Sequence, residues 1–150
     1  MRRAIALASE NVRSGAGGPF GAVIVRNDAI VAEGVNRVTR DNDATAHAEV
    51  QAIRAACRTL SDFALRGCEI YSNCEPCPMC LAAIYWARMD RIWFANTSAD
   101  AARIDFDDAF LYREMALPHG ERKIPSQAMM REQAWESFQL WRESPIKTPY

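Results

Sequence analysis

No stretch of this 150-residue chain stays apolar for long enough to cross a bilayer as a helix. The apolar run behind Met1-Arg2-Arg3 stops at Ser9-Glu10, too short for a secretory leader. An excess of one charge is missing too: 18 Lys and Arg face 19 Asp and Glu, a net charge of −1. A protein that grips a long nucleic acid needs a basic stripe, so this balance argues against such a substrate. Repeats and low-complexity tracts are absent, and no internal boundary is visible, so a single domain over residues 1–150 is expected. The five cysteines are an odd number and give no disulfide framework; free thiols predict a reducing, cytoplasmic setting. What is present is 49% apolar and 25% charged, the balance of a soluble globular chain long enough to bury a full core.

Hydrophobic periodicity predicts the order α, β-hairpin, α, β, α, β. An amphipathic helix over residues 3–14 would carry Ile5, Ala8 and Val12 on one stripe, and Gly15-Ala16-Gly17-Gly18-Pro19 breaks it. Strands over 20–26 and 30–38 flank a tight turn at Asn27-Asp28, and residues 39–43 form a loop. A helix starts near Thr45, a candidate N-cap, with Val50, Ile53, Cys57 and Leu60 on its buried face. A strand over 69–72 leads to a helix over 79–87 that is apolar all round and therefore expected to be buried on every side. A strand over 91–96 follows. The last third reads as a short helix over 97–102, a helix behind Asp107-Asp108, a strand over 127–131 and a helix over 132–143 with Ala134, Trp135, Phe138 and Trp141 along one side. This order suggests a mixed sheet between helical layers.

The chemistry concentrates in Asn73-Cys74-Glu75-Pro76-Cys77-Pro78-Met79-Cys80. Pro76 suits the first position of a helix. Cys77 and Cys80 would lie about one turn apart on one face, where the positive helix end favours thiolates. Alone, a Cys-x-x-Cys fits equally a redox disulfide or half of a structural zinc knuckle. His47-Ala48-Glu49 sharpens it. One imidazole and two thiolates leave the fourth position of Zn²⁺ open for water, which marks a catalytic site. Glu49 can take the proton from that water and pass it on. His-x-Glu followed by Pro-Cys-x-x-Cys is the signature of zinc-dependent nucleobase deaminases. The opposing reading recruits Cys74 as a fourth ligand and makes the chain a structural-zinc binding module, but Cys74 lies outside the predicted helix and is expected to pack nearby. An iron–sulfur reading lacks a fourth cysteine and ignores Glu49. Residues two apart on a helix face nearly opposite ways, so His47 and Glu49 share a pocket only if the metal sits at the helix end. The site is thus expected where two helix N-termini converge.

Along its whole length the chain resembles the cytidine-deaminase-like superfamily and, within it, the bacterial guanine deaminases. The resemblance rests on Gly17-Gly18-Pro19-Phe20-Gly21-Ala22-Val23, Thr45-Ala46-His47-Ala48-Glu49, Cys74-Glu75-Pro76-Cys77-Pro78-Met79-Cys80, Ala83-Ile84-Tyr85-Trp86-Ala87-Arg88 and Phe106-Asp107-Asp108. The second and third of these stretches also fit tRNA adenosine deaminases and fungal-type cytosine deaminases; the Asp108 segment and the terminal Tyr150 favour guanine. The resemblance implies a three-layer α/β/α sandwich with a five-stranded mixed sheet, and hydrolytic deamination of guanine to xanthine and ammonia by a zinc-activated water. Guanosine, an aminated triazine, cytosine or adenosine in tRNA are the alternative substrates. By the same resemblance His47, Cys77 and Cys80 hold zinc, Glu49 shuttles protons, and Asp108 contacts the purine edge or relays a second proton. Asn36 and the backbone of Ala48 hold the base, Phe20 and Trp86 wall it, and Tyr150 closes the pocket of a neighbour in a homodimer whose C-terminal segments swap. By residue physics alone Phe20 and Trp86 are equally core, Asn36 a strand-end cap, Asp107 or Asp108 a helix cap, and Tyr150 a loose chain end.

Overall fold

Val23, Ile24 and Val25, three β-branched residues in a row, form the centre of the sheet. In the computed structural model, which describes residues 1–106 and 108–150, they belong to β1 (Gly21–Arg26). A turn with Asn27 and Asp28 both left-handed, at φ 51° and 62°, returns the chain as β2 (Ala29–Val35). That backbone matches the twist of a two-residue hairpin, and Asn-Asp tolerates it. β3 (Cys68–Cys74) pairs antiparallel with the other edge of β1, and β4 (Arg91–Asn96) pairs parallel with β3. The order is β2-β1-β3-β4. Alternation along β1 divides the core. Val23 meets Ala4 and Leu7 of α1 (Arg2–Arg13), while Ala22 and Ile24 join Ala48, Ala52 and Ala56 of α3 (Ala48–Leu60) and Ile84 of α4 (Pro78–Trp86). Helices thus cover both faces of the sheet, as expected.

Among the described residues the mixed sheet has four strands, not five. Residues 127–131 form no strand: Met130 is left-handed, at φ 53° and ψ 35°, and serves as N-cap of a helix that begins at Arg131. β2 ends at Val35 rather than near residue 38, and a short helix, α2 (Val38–Asp41), replaces the expected loop.

The buried stripes also differ from expectation. On α1 the inward residues are Ala4, Leu7, Ala8 and Asn11, a regular i, i+3, i+4, i+7 set hidden from the apolar pattern because its last member is polar. Ile5 and Val12 are exposed and line an open groove of about 820 Å³. On α3 the buried residues are Ala48, Glu49, Ala52 and Ala56, with Ile53, Cys57 and Leu60 only partly buried beside them. The cause is a close crossing over β2. A Cβ on Gly34 would lie 2.2 Å from the Ala48 carbonyl oxygen, so only small side chains fit at the contact. α4, apolar all round, buries Pro78, Cys80 and Ile84 but leaves Tyr85 70% and Trp86 62% exposed.

Within the chain the contacts divide into two compact units, Met1–Leu111 and Tyr112–Tyr150. The first also holds α5 (Ser98–Ala102), whose N-cap Thr97 forms a full capping box with Asp100. α6 (Asp108–Ala116) follows; Asp107, the other candidate cap, lies outside the described residues. In the second unit Arg122 donates to the carbonyls of Met115 and Leu117, the Lys123 amide donates to Glu114, and α7 (Arg131–Glu143) presents Trp135, Phe138 and Trp141 exposed.

Candidate metal and active site

Two helix N-termini supply the candidate ligands. His47 is the N-cap of α3, with extended backbone at φ −69° and ψ 156°. Cys77 is the N-cap of α4, extended in the same way at φ −63° and ψ 167°. Thr45 is therefore not the cap, and the proline opening α4 is Pro78, not Pro76. An extended N-cap frees its side chain from helical periodicity, and that lets His47 and Glu49 serve one pocket although they are two residues apart.

His47 Nδ1 lies 3.6 Å from Cys77 Sγ and 3.5 Å from Cys80 Sγ, and the three ligand atoms all lie within 4.8 Å of one another. Tetrahedral zinc, with Zn–N near 2.0–2.1 Å and Zn–S near 2.3 Å, requires a nitrogen–sulfur separation of about 3.5 Å. The residues present fit the metal in donor type and in spacing. Among the described residues this is the one such group, and Cys74 is not in it. Cys74 ends β3, buried, with its thiol 3.7 Å from the Thr97 carbonyl oxygen; burial pushes that thiol up to about 11, where it stays protonated. The hydrogen bond from Cys80 draws Cys77 down to about 4, helped by His47, and the same sharing pushes Cys80 up. His47 is raised chiefly by its bond to Cys77. One thiolate is thus already favoured before any cation arrives.

Glu49, in the first turn of α3, is 5% exposed and accepts a 2.9 Å hydrogen bond from Ser72 Oγ. Burial pushes its carboxyl above the ordinary carboxylate range. Beside it opens a cavity of about 190 Å³ that brings His47, Glu49 and Cys77 together with Phe20, Asn36 and Asp108. Phe106 lines it too and stands edge-on to Phe20, with ring centroids 4.8 Å apart. Ala48 is the first residue of α3, so no turn of its own helix can satisfy its amide. Trp86 is not part of this lining; it ends α4, roughly 13 Å along the axis from Cys77 by helical rise, with the Arg88 guanidinium 5.4 Å over its ring. Tyr150 belongs to the second unit and is 74% exposed.

Sequence reasoning missed Ser72 and gave Phe106 no role. Phe106 had a signal, since it stands directly before the Asp pair. Ser72 had none: a serine in a strand says nothing of a carboxylate 23 positions away.

Residues 1–96 match the family described as the cytidine and deoxycytidylate deaminase zinc-binding region. The chain is 51% identical over 150 residues to guanine deaminase of Bacillus subtilis, covering all of this chain and 96% of that protein. The X-ray structure of a Bacillus subtilis guanine deaminase superposes with a TM-score of 0.97, covering 99% of this chain and 95% of that one. A tRNA-specific adenosine deaminase of Agrobacterium fabrum is 45% identical over 51% of this chain and 50% of its own length. Guanine deaminase from Nitrosomonas europaea has a TM-score of 0.68 at 31% identity, covering 71% of this chain and 62% of that one.

Proposed function

The chain belongs to the zinc-binding cytidine and deoxycytidylate deaminase family, and from that premise we propose that it hydrolyses guanine to xanthine and ammonia. The observation that carries this reading is the end-to-end likeness to a guanine deaminase, 51% identical over the whole chain. A tRNA-specific relative matches only half of it. The cavity supports the choice of a small substrate: about 190 Å³ is below the 300–1,000 Å³ or so that drug-sized ligands occupy.

His47, Cys77 and Cys80 hold zinc. When bound, zinc supplies a Lewis acid that makes a water nucleophilic at neutral pH. Glu49 moves the protons. Its carboxylate, made more basic by burial, would accept one proton from the water and deliver it to the ring nitrogen. It would then take the second proton from the hydroxyl added to the ring carbon and pass it to the amine, which departs as ammonia as the carbonyl forms. Ser72 holds one oxygen of Glu49 and so orients the carboxylate. Asn36 and the Ala48 amide hold the base, and Phe20 with Phe106 forms an apolar wall. Asp108 lines the same cavity, where it contacts the purine edge or relays a second proton.

The protein acts as a homodimer of one-domain subunits in the cytoplasm. The C-terminal segment crosses to the neighbour, and Tyr150 closes the neighbour's pocket. Supporting this are the resemblance, the exposed aromatic residues of α7 and the uncovered outer face of α4. Free thiols suit a reducing compartment. The test is ammonia release by zinc-loaded protein from guanine, guanosine, adenine, cytosine, an aminated triazine and a tRNA anticodon loop. Turnover is expected with guanine; none there, with turnover on the RNA loop, would overturn the assignment.

A further inference from the structure

Three asparagines surround the turn at residues 17–21, and all three are nearly buried: Asn11 is 4%, Asn36 6% and Asn73 8% exposed. Asn73, near the end of β3, accepts from the Gly21 amide at 2.8 Å and donates to the Pro19 carbonyl at 3.0 Å. Asn11, on α1, donates from Nδ2 to two carbonyls, those of Gly18 and Asn36, each at 2.9 Å. Asn36 accepts through Oδ1 from the amides of Gly18 and Val38, each at 3.3 Å. Every amide orientation here is dictated by a backbone group that can only donate or only accept.

The Gly18 peptide and Asn36 are thus bridged twice, once through the Asn36 side chain and once through Asn11. Glycine at 17 is required for the approach, because a Cβ there would lie 2.2 Å from the Asn36 carbonyl oxygen and 2.9 Å from Asn11 Nδ2. The arrangement uses up Asn36 Oδ1 and leaves its Nδ2. Among the described residues no side-chain nitrogen or oxygen is both fully buried and unpartnered. Asn36 lines the cavity that holds Glu49 and His47, and with Oδ1 engaged by two backbone amides its Nδ2 is the polar atom left to offer a ligand there.

We infer that Asn11 is a positioning residue for the substrate. By tying the Gly18 and Asn36 carbonyls to one amide it locks the Asn36 carboxamide with its donor toward the cavity. The pocket therefore selects a ring that presents an acceptor at that edge and rejects one that presents a donor there. The inference rests on the reading above that Asn36 holds the base.

Steady-state kinetics on guanine for wild type, Asn11→Ala, Asn36→Ala and the double variant test it, together with amide hydrogen exchange at Gly18 and Val38. Asn11→Ala should raise KM roughly tenfold with kcat within about twofold, and exchange at both amides should quicken. In the Asn36→Ala background it should raise KM no further. Simple loosening of the fold would lower the active fraction, hence apparent kcat, and leave KM alone. Unchanged KM, KM effects that multiply in the double variant, or unchanged exchange at Gly18 and Val38 would overturn the inference. Should Asn11→Ala fold too poorly to assay, Asn11→Ser keeps a donor for one carbonyl and should give an intermediate KM. A wild type inert toward guanine would sink the functional reading instead, and the exchange data would still decide whether Asn11 orders Asn36.

Discussion

At the scale of single residues, Glu49 is where folding and chemistry oppose each other. Burial raises its carboxyl, so the protonated form is the one the interior accepts. In the metal-free protein its contribution to stability is whole below the ordinary carboxyl range and is lost as pH climbs through the raised value. Metal-free Glu49→Gln should therefore melt higher than metal-free wild type at pH 8 and alike at pH 4, as thermal unfolding would record. With zinc bound, the same variant should keep one metal per chain and lose roughly 10²–10⁴-fold in kcat; retained turnover would remove Glu49 from the proton path. Ser72→Ala should cost about tenfold in kcat through loss of the bond that orients Glu49. His47, Glu49, Cys77 and Cys80 were legible in the sequence because a metal site needs specific atoms at short, fixed spacings. Ser72 and Asn11 were not, because they act through partners 23 and 25 positions distant.

At the scale of elements, position depends on how closely α3 crosses β2. Gly34→Ala would force a methyl group against the Ala48 carbonyl and the Ala52 amide, at 2.2 and 2.5 Å. It should cost about 1–3 kcal/mol and weaken zinc binding, because α3 carries Glu49 and is capped by His47. Denaturant midpoints and a zinc titration would read both. Gly120→Ala, with open space around it, is the control and should change neither. The same crossing explains what the periodicity could not reveal. A pattern built on large apolar residues picked Val50, Ile53 and Cys57, whereas the tight contact selected Ala48, Ala52 and Ala56. The hairpin, by contrast, was legible, since Asn27-Asp28 states its turn geometry locally. Strand 127–131 failed for the opposite reason: its pattern was local and weak, and one left-handed residue at Met130 ended it.

At the scale of the whole molecule, large apolar surfaces remain in water: Tyr85 and Trp86 on α4, and Phe138, Leu140 and Trp141 on α7. A subunit carrying such patches is expected to associate. Light scattering should give twice the mass of one 16.8 kDa chain, and a stable monomer at working concentration would remove the dimer. Deleting residues 145–150 should depress activity more than melting temperature if Tyr150, exposed in the single chain, has the proposed role of closing a neighbour's pocket.

The candidate ligands also have a mechanical side. His47 and Cys77 stand 30 positions apart in the chain, so a cation gripped by both clasps a long loop, much as a cross-link would, and narrows the freedom of the unfolded polymer. The ion is then a rivet as well as a reagent. Stripping it with a chelator should lower the melting temperature and quicken proteolysis within the loop that runs from His47 to Cys77.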